Sequence, residues 1–146
     1  MSIALPTHID KPTFLAWVQG REERYELVRG RVVPAPRATR RRALIVTNLV
    51  VALHAKLDPQ KWIVLPQFGL ETGSETVRCA DIVVDRSGGT GGDCMATAPV
   101  LISEVLSPIT AEIDPGDKVG EYLQLSSLLA YLVFAQDGPK AYVWMR

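Results

Sequence analysis

The sequence predicts a mixed α/β domain in which helices flank one sheet. Short runs of Val, Ile and Leu, each bounded by turn-forming residues, are typical of strands and recur along the chain. Stretches with apolar residues at helical spacing lie between these runs. The resulting order is a helix, a hairpin, a long helix, three strands, a helix and two strands. This order favours a mixed α/β sheet flanked by helices.

The size and composition indicate a soluble globular protein. The chain has 146 residues, enough for a single domain with a sizeable core, and 47% of them are hydrophobic. Lys plus Arg and Asp plus Glu both number 16, so only a local patch could attract a polyanion. No signal-peptide pattern opens the chain, and the longest apolar stretch, 43–53, is too short to span a bilayer. Cys79 and Cys94 lack metal-ligand spacing, so we expect free thiols in a cytoplasmic protein.

The first third of the chain predicts a short helix and a hairpin. Residues 12–20 carry apolar residues at helical spacing. Residues 24–33 have the pattern of a hairpin with its turn near Gly30. Pro34 and Pro36 end this hairpin, because proline cannot donate a hydrogen bond to a strand ladder.

A long helix and a strand follow. Residues 44–57 place apolar residues around most of the helix circumference, which predicts a helix that is buried on most sides. Asp58 and Pro59 end it. Residues 62–68 then predict a strand that continues toward Glu71.

Two neighbouring apolar strands each contain one acid, Asp81 in 77–85 and Glu104 in 99–106. A glycine-rich loop at 86–93 joins them. In an antiparallel hairpin the numbers of paired residues have a constant sum, and the sum of 185 for the two acids centres the hairpin on this loop. Their Cβ atoms would then lie roughly 5 Å apart. Because like charges so placed repel, we expect a cation or a proton between them.

The last third predicts a helix and two strands. The helix is expected to begin with Asp114 as its N-cap, and Lys118 lies beside its apolar face. Residues 128–135 and 140–145 predict strands that are joined by a strong turn signal.

Carboxylates on adjacent strands form an oxygen-rich site suited to Mg²⁺ or Mn²⁺. A metal ion there would lower the pKa of a bound water and stabilise charge on a phosphoryl oxygen. For Asp81 or Glu104 alone, the alternative is a side chain that faces solvent at a strand end. A third possibility for the pair is a structural cation with no chemistry.

Glu26 and Lys118 are weaker candidates for the same site. Glu26 stands between apolar residues of the first hairpin, and its alternative is an exposed strand position. Lys118 is a solvated charge in the alternative interpretation. Near a metal-carboxylate site, it would instead hold the attacking water or offset phosphate charge.

Four stretches together resemble one protein family. They are Tyr25-Glu26-Leu27-Val28-x-Gly30, the apolar strand with Asp81, Ser103-Glu104-Val105-Leu106-Ser107-Pro108, and Asp117-Lys118-x-x-Glu121-Tyr122. From about Thr7 to the last residue, the chain is similar to the Uma2 family, a group of endonucleases on the PD-(D/E)xK restriction-endonuclease fold.

The resemblance implies a single restriction-endonuclease-like domain over residues 1–146 and a metal-dependent endonuclease activity. Asp81 and Glu104 would be the metal ligands for Mg²⁺ or Mn²⁺, and Glu26 would be an additional acid. Lys118 would be the lysine that this family carries on the following helix. The implied partner is nucleic acid, with DNA expected first.

The chain departs from the family pattern at several positions. Ala80 replaces the proline before the first acid, and Gln67 stands where an acid is common. Leu106 occupies the position of the lysine in the ordinary PD-(D/E)xK motif. The chain also stops at Arg146, where family members usually continue for another strand. A shortened sheet would expose an edge and favour a homodimer, or would mark a degraded copy.

A run of arginines precedes the long helix, where the family often has a histidine. Its members are Arg37, Arg40, Arg41 and Arg42. Positive charge at a helix N-terminus opposes the macrodipole, so helix stability does not explain the run. Phosphate contact would explain it, because guanidinium groups bind phosphate bidentately. The alternative is a solvated loop.

The leading hypothesis is therefore a metal-dependent endonuclease that hydrolyses phosphodiester bonds with an activated water. The alternative is a catalytically inactive nuclease-fold module for nucleic-acid binding or dimerisation.

Overall fold

The computed structural model of the chain describes residues 7–35, 37–106 and 115–146. In chain order the elements are α1 (Lys11–Val18), β1 (Tyr25–Val28), β2 (Arg31–Pro34), α2 (Arg40–Lys56), β3 (Trp62–Gly73), β4 (Thr76–Arg86), β5 (Leu101–Val105), α3 (Pro115–Leu123), β6 (Ala130–Phe134) and β7 (Ala141–Met145). Pro36, Ser107, Pro108 and the predicted N-cap Asp114 lie outside the described residues. The order of helices and strands is the predicted one.

The seven described strands form one sheet. Six of them follow the order β2-β1-β4-β5-β6-β7, and the seventh, β3, pairs with β4. The ladder between β5 and β6 is parallel, while the other ladders are antiparallel. The prediction of a mixed sheet flanked by helices is confirmed. The predicted turn of the first hairpin is also found, since Arg29 and Gly30 both have positive φ.

Strand β4 is the centre of the sheet because three strands pair with it. β3 runs along one edge of β4 from Thr76 to Arg86. The opposite edge is shared: β1 pairs at Val77, and β5 pairs at residues 82–84. Residues 78–81 of β4 therefore lie where β1 and β5 diverge. Asp81 belongs to this gap.

The pleat of β3 is interrupted opposite Asp81. Gln67 lies between the paired positions Pro66 and Phe68 and has a φ of 53°, in the left-handed region that side chains other than glycine rarely adopt. Leu65 and Phe68 consequently both pack against the same hydrophobic cluster, although they are three residues apart on one strand. This irregularity lies beside the gap in the sheet.

Two hydrophobic clusters stabilise the fold. The larger joins α3 to the sheet through Tyr122, Ile102 and Tyr131, all of which are buried. The smaller packs α1 on the first hairpin, with Phe14 and Leu27 at its centre.

Helix α2 corrects two expectations. It begins at Arg40, with the Thr39 side chain accepting a hydrogen bond from the Arg42 amide, so it starts before the predicted residue 44. The prediction that it is buried on most sides is wrong, because none of its residues is buried and Leu44 and Val51 are exposed. The helix packs on the sheet with one face only. The sequence shows that the other face is apolar, but not whether a second layer covers it.

The strand ends also differ from the prediction by a few residues. β3 continues to Gly73, beyond the predicted end near Glu71. β5 and β6 are shorter than the apolar runs that predicted them. β5 and β6 are shorter because their apolar pattern continues past the last ladder hydrogen bond.

Candidate active site

Asp81 is buried in the gap between β1 and β5, and both of its carboxylate oxygens are occupied. Oδ2 accepts a hydrogen bond from the Val105 amide at 2.8 Å. Oδ1 lies 2.6 Å from Nη2 of Arg42, which is in the first turn of α2. Asp81 therefore holds the open end of β5 and forms an ion pair with one of the predicted nucleic-acid contacts.

Glu104 is held by three side chains from the neighbouring elements. Nζ of Lys118 lies 3.0 Å and 3.1 Å from the two carboxylate oxygens. The hydroxyl of Tyr122 donates to Oε1 at 2.9 Å, and the hydroxyl of Tyr131 donates to Oε2 at 3.2 Å. Lys118 and Tyr122 are four residues apart on α3, so one helix face directs both toward β5.

The charges of both acids affect the pKa of the Tyr131 hydroxyl. Burial raises the pKa of its hydroxyl, and the negative charges of Glu104 and Asp81 raise it further. Burial and the charges of Glu104 and Glu26 likewise hold the pKa of Tyr122 well above its ordinary value. Both tyrosines therefore remain neutral donors to Glu104.

Lys118 is charged in this environment. Burial alone would lower the pKa of its ammonium group, but the charges of Glu104 and Glu26 outweigh burial, so the pKa lies above its ordinary value. Lys118 is therefore a fixed positive charge beside Glu104. The solvated-charge alternative does not describe its surroundings, since its Nζ contacts both oxygens of one carboxylate.

Glu26 lies on the other side of the gap. Its Oε1 accepts a hydrogen bond from the Cys79 amide at 2.9 Å, and its Oε2 lies 3.4 Å from Nη1 of Arg78. Arg78 also forms a bidentate ion pair with Glu121 on α3. Its Nε donates to Oε2 at 2.8 Å, and its Nη2 donates to Oε1 at 2.7 Å. This chain of charges links the first hairpin to the helix that carries Lys118.

Glu26 and Asp81 both bind backbone amides that the sheet leaves without ladder partners. Glu26 on β1 accepts from the amide of Cys79, and Asp81 on β4 accepts from the amide of Val105. A buried amide without a partner costs about 1–3 kcal/mol. The acids therefore stabilise the point where the strands diverge, in addition to any chemistry there.

The register predicted for the two acidic strands is confirmed. Ile82 pairs with Ser103 and Val84 with Leu101, and each pair has the predicted sum of residue numbers. The ladder ends at Ile82, one position before the acids. Asp81 and Glu104 therefore occupy the next positions, where the backbones separate and side chains replace the ladder hydrogen bonds.

The four predicted arginines are not equivalent. Arg37 and Arg40 are exposed, and Arg41 donates from Nη1 to the carbonyl of Gln136 at 3.2 Å. Arg42 instead turns inward to Asp81, with only 15% of its side chain exposed. The run is part of the first turn of a helix and not wholly a loop. Nucleic-acid contact by these residues stays a prediction.

The donors of the site fit a divalent ion in their chemistry. Mg²⁺ is usually held by one or two carboxylates together with water and substrate phosphate, and Asp81 and Glu104 supply such oxygens from neighbouring strands. In the part of the chain that the structure describes, no group of three His, Cys, Asp or Glu side chains is placed to hold a metal ion. Arg42 and Lys118 contact the oxygens that an ion would use. The positive charge of Arg42 at Asp81 Oδ1 would therefore oppose the binding of an ion to that oxygen.

Four residues around the site, Arg78, Glu121, Tyr122 and Tyr131, were not among the predicted site residues. Arg78 interrupts an apolar strand three residues before Asp81, and this interruption was an available signal. Glu121 and Tyr122 belong to the motif that resembles the family, which was a signal for them, whereas Tyr131 had none, because its role depends on how β6 packs against β5.

The sheet, the acids on its neighbouring strands and the lysine on the following helix place the protein in the restriction-endonuclease-like class of folds. The chain belongs to the Uma2 family, which is described as "Putative restriction endonuclease" and which it matches over residues 12–146. The predicted family and fold are thereby confirmed.

A solved structure has the same fold. It is described as a "putative nuclease belonging to DUF820" from Anabaena variabilis and superposes with a TM-score of 0.74. The two sequences are 15% identical, and the match covers 94% of this chain and 85% of the other. None of the curated proteins matches this chain. Among the described helices, none has the length and hydrophobicity that crossing a membrane requires.

Proposed function

We propose that the protein is an endonuclease that hydrolyses phosphodiester bonds of nucleic acid at the Asp81–Glu104 site. The observation that carries this proposal is the β4–β5 register, which brings Asp81 and Glu104 to opposing positions on adjacent strands, with Lys118 on Glu104. Family membership supports the same reaction class. Fold alone would not, since one fold hosts many activities.

Lys118 and Glu104 are proposed to act on the water and the phosphate. The ammonium group of Lys118 is fixed between Glu104 and solvent, with 26% of its side chain exposed. In this position it can orient an attacking water and offset the charge that develops on the phosphate. Tyr122 and Tyr131 hold the Glu104 carboxylate in place.

Asp81 and Glu104 are proposed to hold one Mg²⁺ or Mn²⁺ ion. When bound, the ion would lower the pKa of a coordinated water and neutralise charge on the phosphate. Glu26 is proposed as an auxiliary acid that contributes negative charge to the site. Its contact with the Cys79 amide keeps it directed toward β4.

DNA is the proposed substrate, and the protein is proposed to act in the cytoplasm. Arg37, Arg40 and Arg41 lie at or before the first turn of α2, whose Arg42 reaches Asp81, so phosphate groups bound there would run past the site. Two free thiols, Cys79 and Cys94, agree with a reducing compartment.

Metal binding tests this proposal without the need to know the substrate sequence. We expect calorimetry to detect Mg²⁺ or Mn²⁺ binding to the wild type and to detect no binding to Asp81→Ala or Glu104→Ala. Asp137→Ala is the matched control, because Asp137 is an exposed acid in the turn between β6 and β7. Equal binding by wild type and both site variants would overturn the shared metal site.

The second candidate function is a catalytically inactive module that dimerises. It is favoured by β7, which ends the strand order of the sheet in the described part of the chain and exposes Tyr142, Val143 and Met145. Antiparallel pairing of two β7 strands would join two sheets into one. Light scattering should then report a dimer that Val143→Lys converts to a monomer. A wild type that is monomeric at high concentration would overturn this candidate.

A further inference from the structure

Arg42 differs from the exposed arginines around it. Its Nη2 lies 2.6 Å from Asp81 Oδ1, and both side chains are largely buried. This geometry is a charge-assisted hydrogen bond between a guanidinium group and a carboxylate. The positive charge therefore occupies one of the two Asp81 oxygens, while the Val105 amide occupies the other.

The same guanidinium group is incompletely satisfied. Its Nη1 is buried and has no hydrogen-bond partner among the described residues. Buried donors without partners destabilise a structure, and Arg42 also places positive charge in the first turn of a helix, where it opposes the macrodipole. The contact with Asp81 offsets both costs. Arg42 is therefore held inward mainly by this one carboxylate.

The helix that carries Arg42 lies on the surface of the sheet, and none of its residues is buried. Thr39 and Arg41 contact Gln136 and hold its first turn in place, so Arg42 can move without a shift of the helix. An arginine side chain is also long enough to leave Asp81 by rotating about its own bonds. Release of Arg42 from Asp81 thus needs little rearrangement elsewhere.

We propose that Arg42 is an internal cation that competes with the divalent ion for Asp81 and so sets the ion affinity of the site. This inference rests on the metal-dependent function proposed above. In the absence of substrate, Arg42 neutralises Asp81 and holds the ion affinity low. A phosphate group of nucleic acid offers the guanidinium group another anionic partner, so substrate binding would release Asp81 for the ion.

The ion affinity of arginine variants tests this competition directly. Manganese binding is measured by electron paramagnetic resonance of free Mn²⁺ and by calorimetry for wild type, Arg42→Gln, Arg41→Gln and the double variant Asp81→Asn/Arg42→Gln. Arg41→Gln is the matched control, because it removes the same charge from the same helical turn without a contact to Asp81. We expect Arg42→Gln to bind about tenfold more tightly than wild type. We expect Arg41→Gln to match the wild type and the double variant to lose the gain.

The possible outcomes separate this inference from the proposed function. If wild type and Arg42→Gln bind Mn²⁺ equally and both need Asp81, the competition is refuted while the metal site stands. If no variant binds Mn²⁺, the metal site and the competition both fail. If Arg41→Gln gains as much affinity as Arg42→Gln, the effect is general electrostatics and the inference is overturned.

A variant that fails to fold is recognised by circular dichroism, and Arg42→Lys then replaces it. Lysine keeps the charge but offers no planar pair of N–H donors, so it holds Asp81 less firmly. We expect its Mn²⁺ affinity to lie between those of wild type and Arg42→Gln. An affinity equal to that of the wild type would count against the competition.

Discussion

Nη2 of Arg42 lies 2.6 Å from Oδ1 of Asp81, so a predicted nucleic-acid contact and a predicted metal ligand bind each other. Each acid of the site has a cation of its own, since Lys118 makes the equivalent contact with Glu104. The repulsion expected between two neighbouring carboxylates is thus relieved within the chain. The site is electrically balanced before any ion or substrate arrives.

The Tyr131 hydroxyl is predicted to stabilise the protein through Glu104. Tyr131→Phe removes one hydrogen bond to a charged group, and we expect a loss of about 1.5–3 kcal/mol in the free energy of unfolding. Urea denaturation measures this loss. Tyr142→Phe is the matched control, because that tyrosine is 51% exposed, and its change should stay within about 0.5 kcal/mol. Equal effects of the two variants would show that the contact with Glu104 adds nothing.

Arg78 is predicted to be the most sensitive charged residue for stability. It is buried between Glu26 and Glu121, so Arg78→Leu leaves two partly buried carboxylates without their partner. We expect a loss of about 3–5 kcal/mol, measured by urea denaturation. Arg31→Leu on the exposed face of β2 should change the stability little. A loss below about 1 kcal/mol for Arg78→Leu would contradict the role of this network.

The loss of folding stability at acidic pH is predicted to depend on Glu121. Burial raises the pKa of its carboxyl group, but the hydrogen bond and charge of Arg78 outweigh burial, so the pKa lies below its ordinary value of 4.5. At a pH between the lowered pKa of the folded state and the ordinary pKa of the unfolded state, the unfolded chain binds more protons than the folded one. The stabilisation is therefore present above pH 4.5 and is lost as the pH falls through the folded pKa.

Unfolding by urea between pH 6 and pH 3 tests this dependence. The slope of stability against pH below about 4.5 should be smaller in Glu121→Gln than in wild type. Glu22→Gln changes an exposed acid and serves as the control. An unchanged slope in Glu121→Gln would assign the acid sensitivity to other groups.

Gln67 is predicted to carry backbone strain beside the site. Its φ of 53° suits glycine, so Gln67→Gly should raise the free energy of unfolding by about 0.5–1 kcal/mol. Gln67→Val should lower it, because a β-branched side chain tolerates positive φ poorly. Thermal and urea denaturation of the pair measure both changes. Destabilisation by glycine and stabilisation by valine would contradict the strain.

The hairpin register could be predicted because residue numbers fix the partners in an antiparallel pair. The place of Lys118 at the site was expected from the family resemblance, since the local pattern alone favours a solvated charge on a helix flank. The contact between Arg42 and Asp81 could not be predicted, because these residues are 39 positions apart and meet only when α2 packs on the sheet. The exposure of α2 could not be predicted either, since an apolar pattern does not show how many layers of the fold cover a helix.

Cleavage of nucleic acid is the most direct test of the central claim that Asp81 and Glu104 form a hydrolytic centre. Purified wild type, Asp81→Asn and Glu104→Gln are incubated with supercoiled plasmid, single-stranded DNA or RNA, with Mn²⁺ or with chelator. We expect cleavage by the wild type only with the ion, and a loss of at least about 100-fold in each variant. Cleavage at the wild-type rate by either variant, or no cleavage of any substrate by the wild type, would contradict the claim.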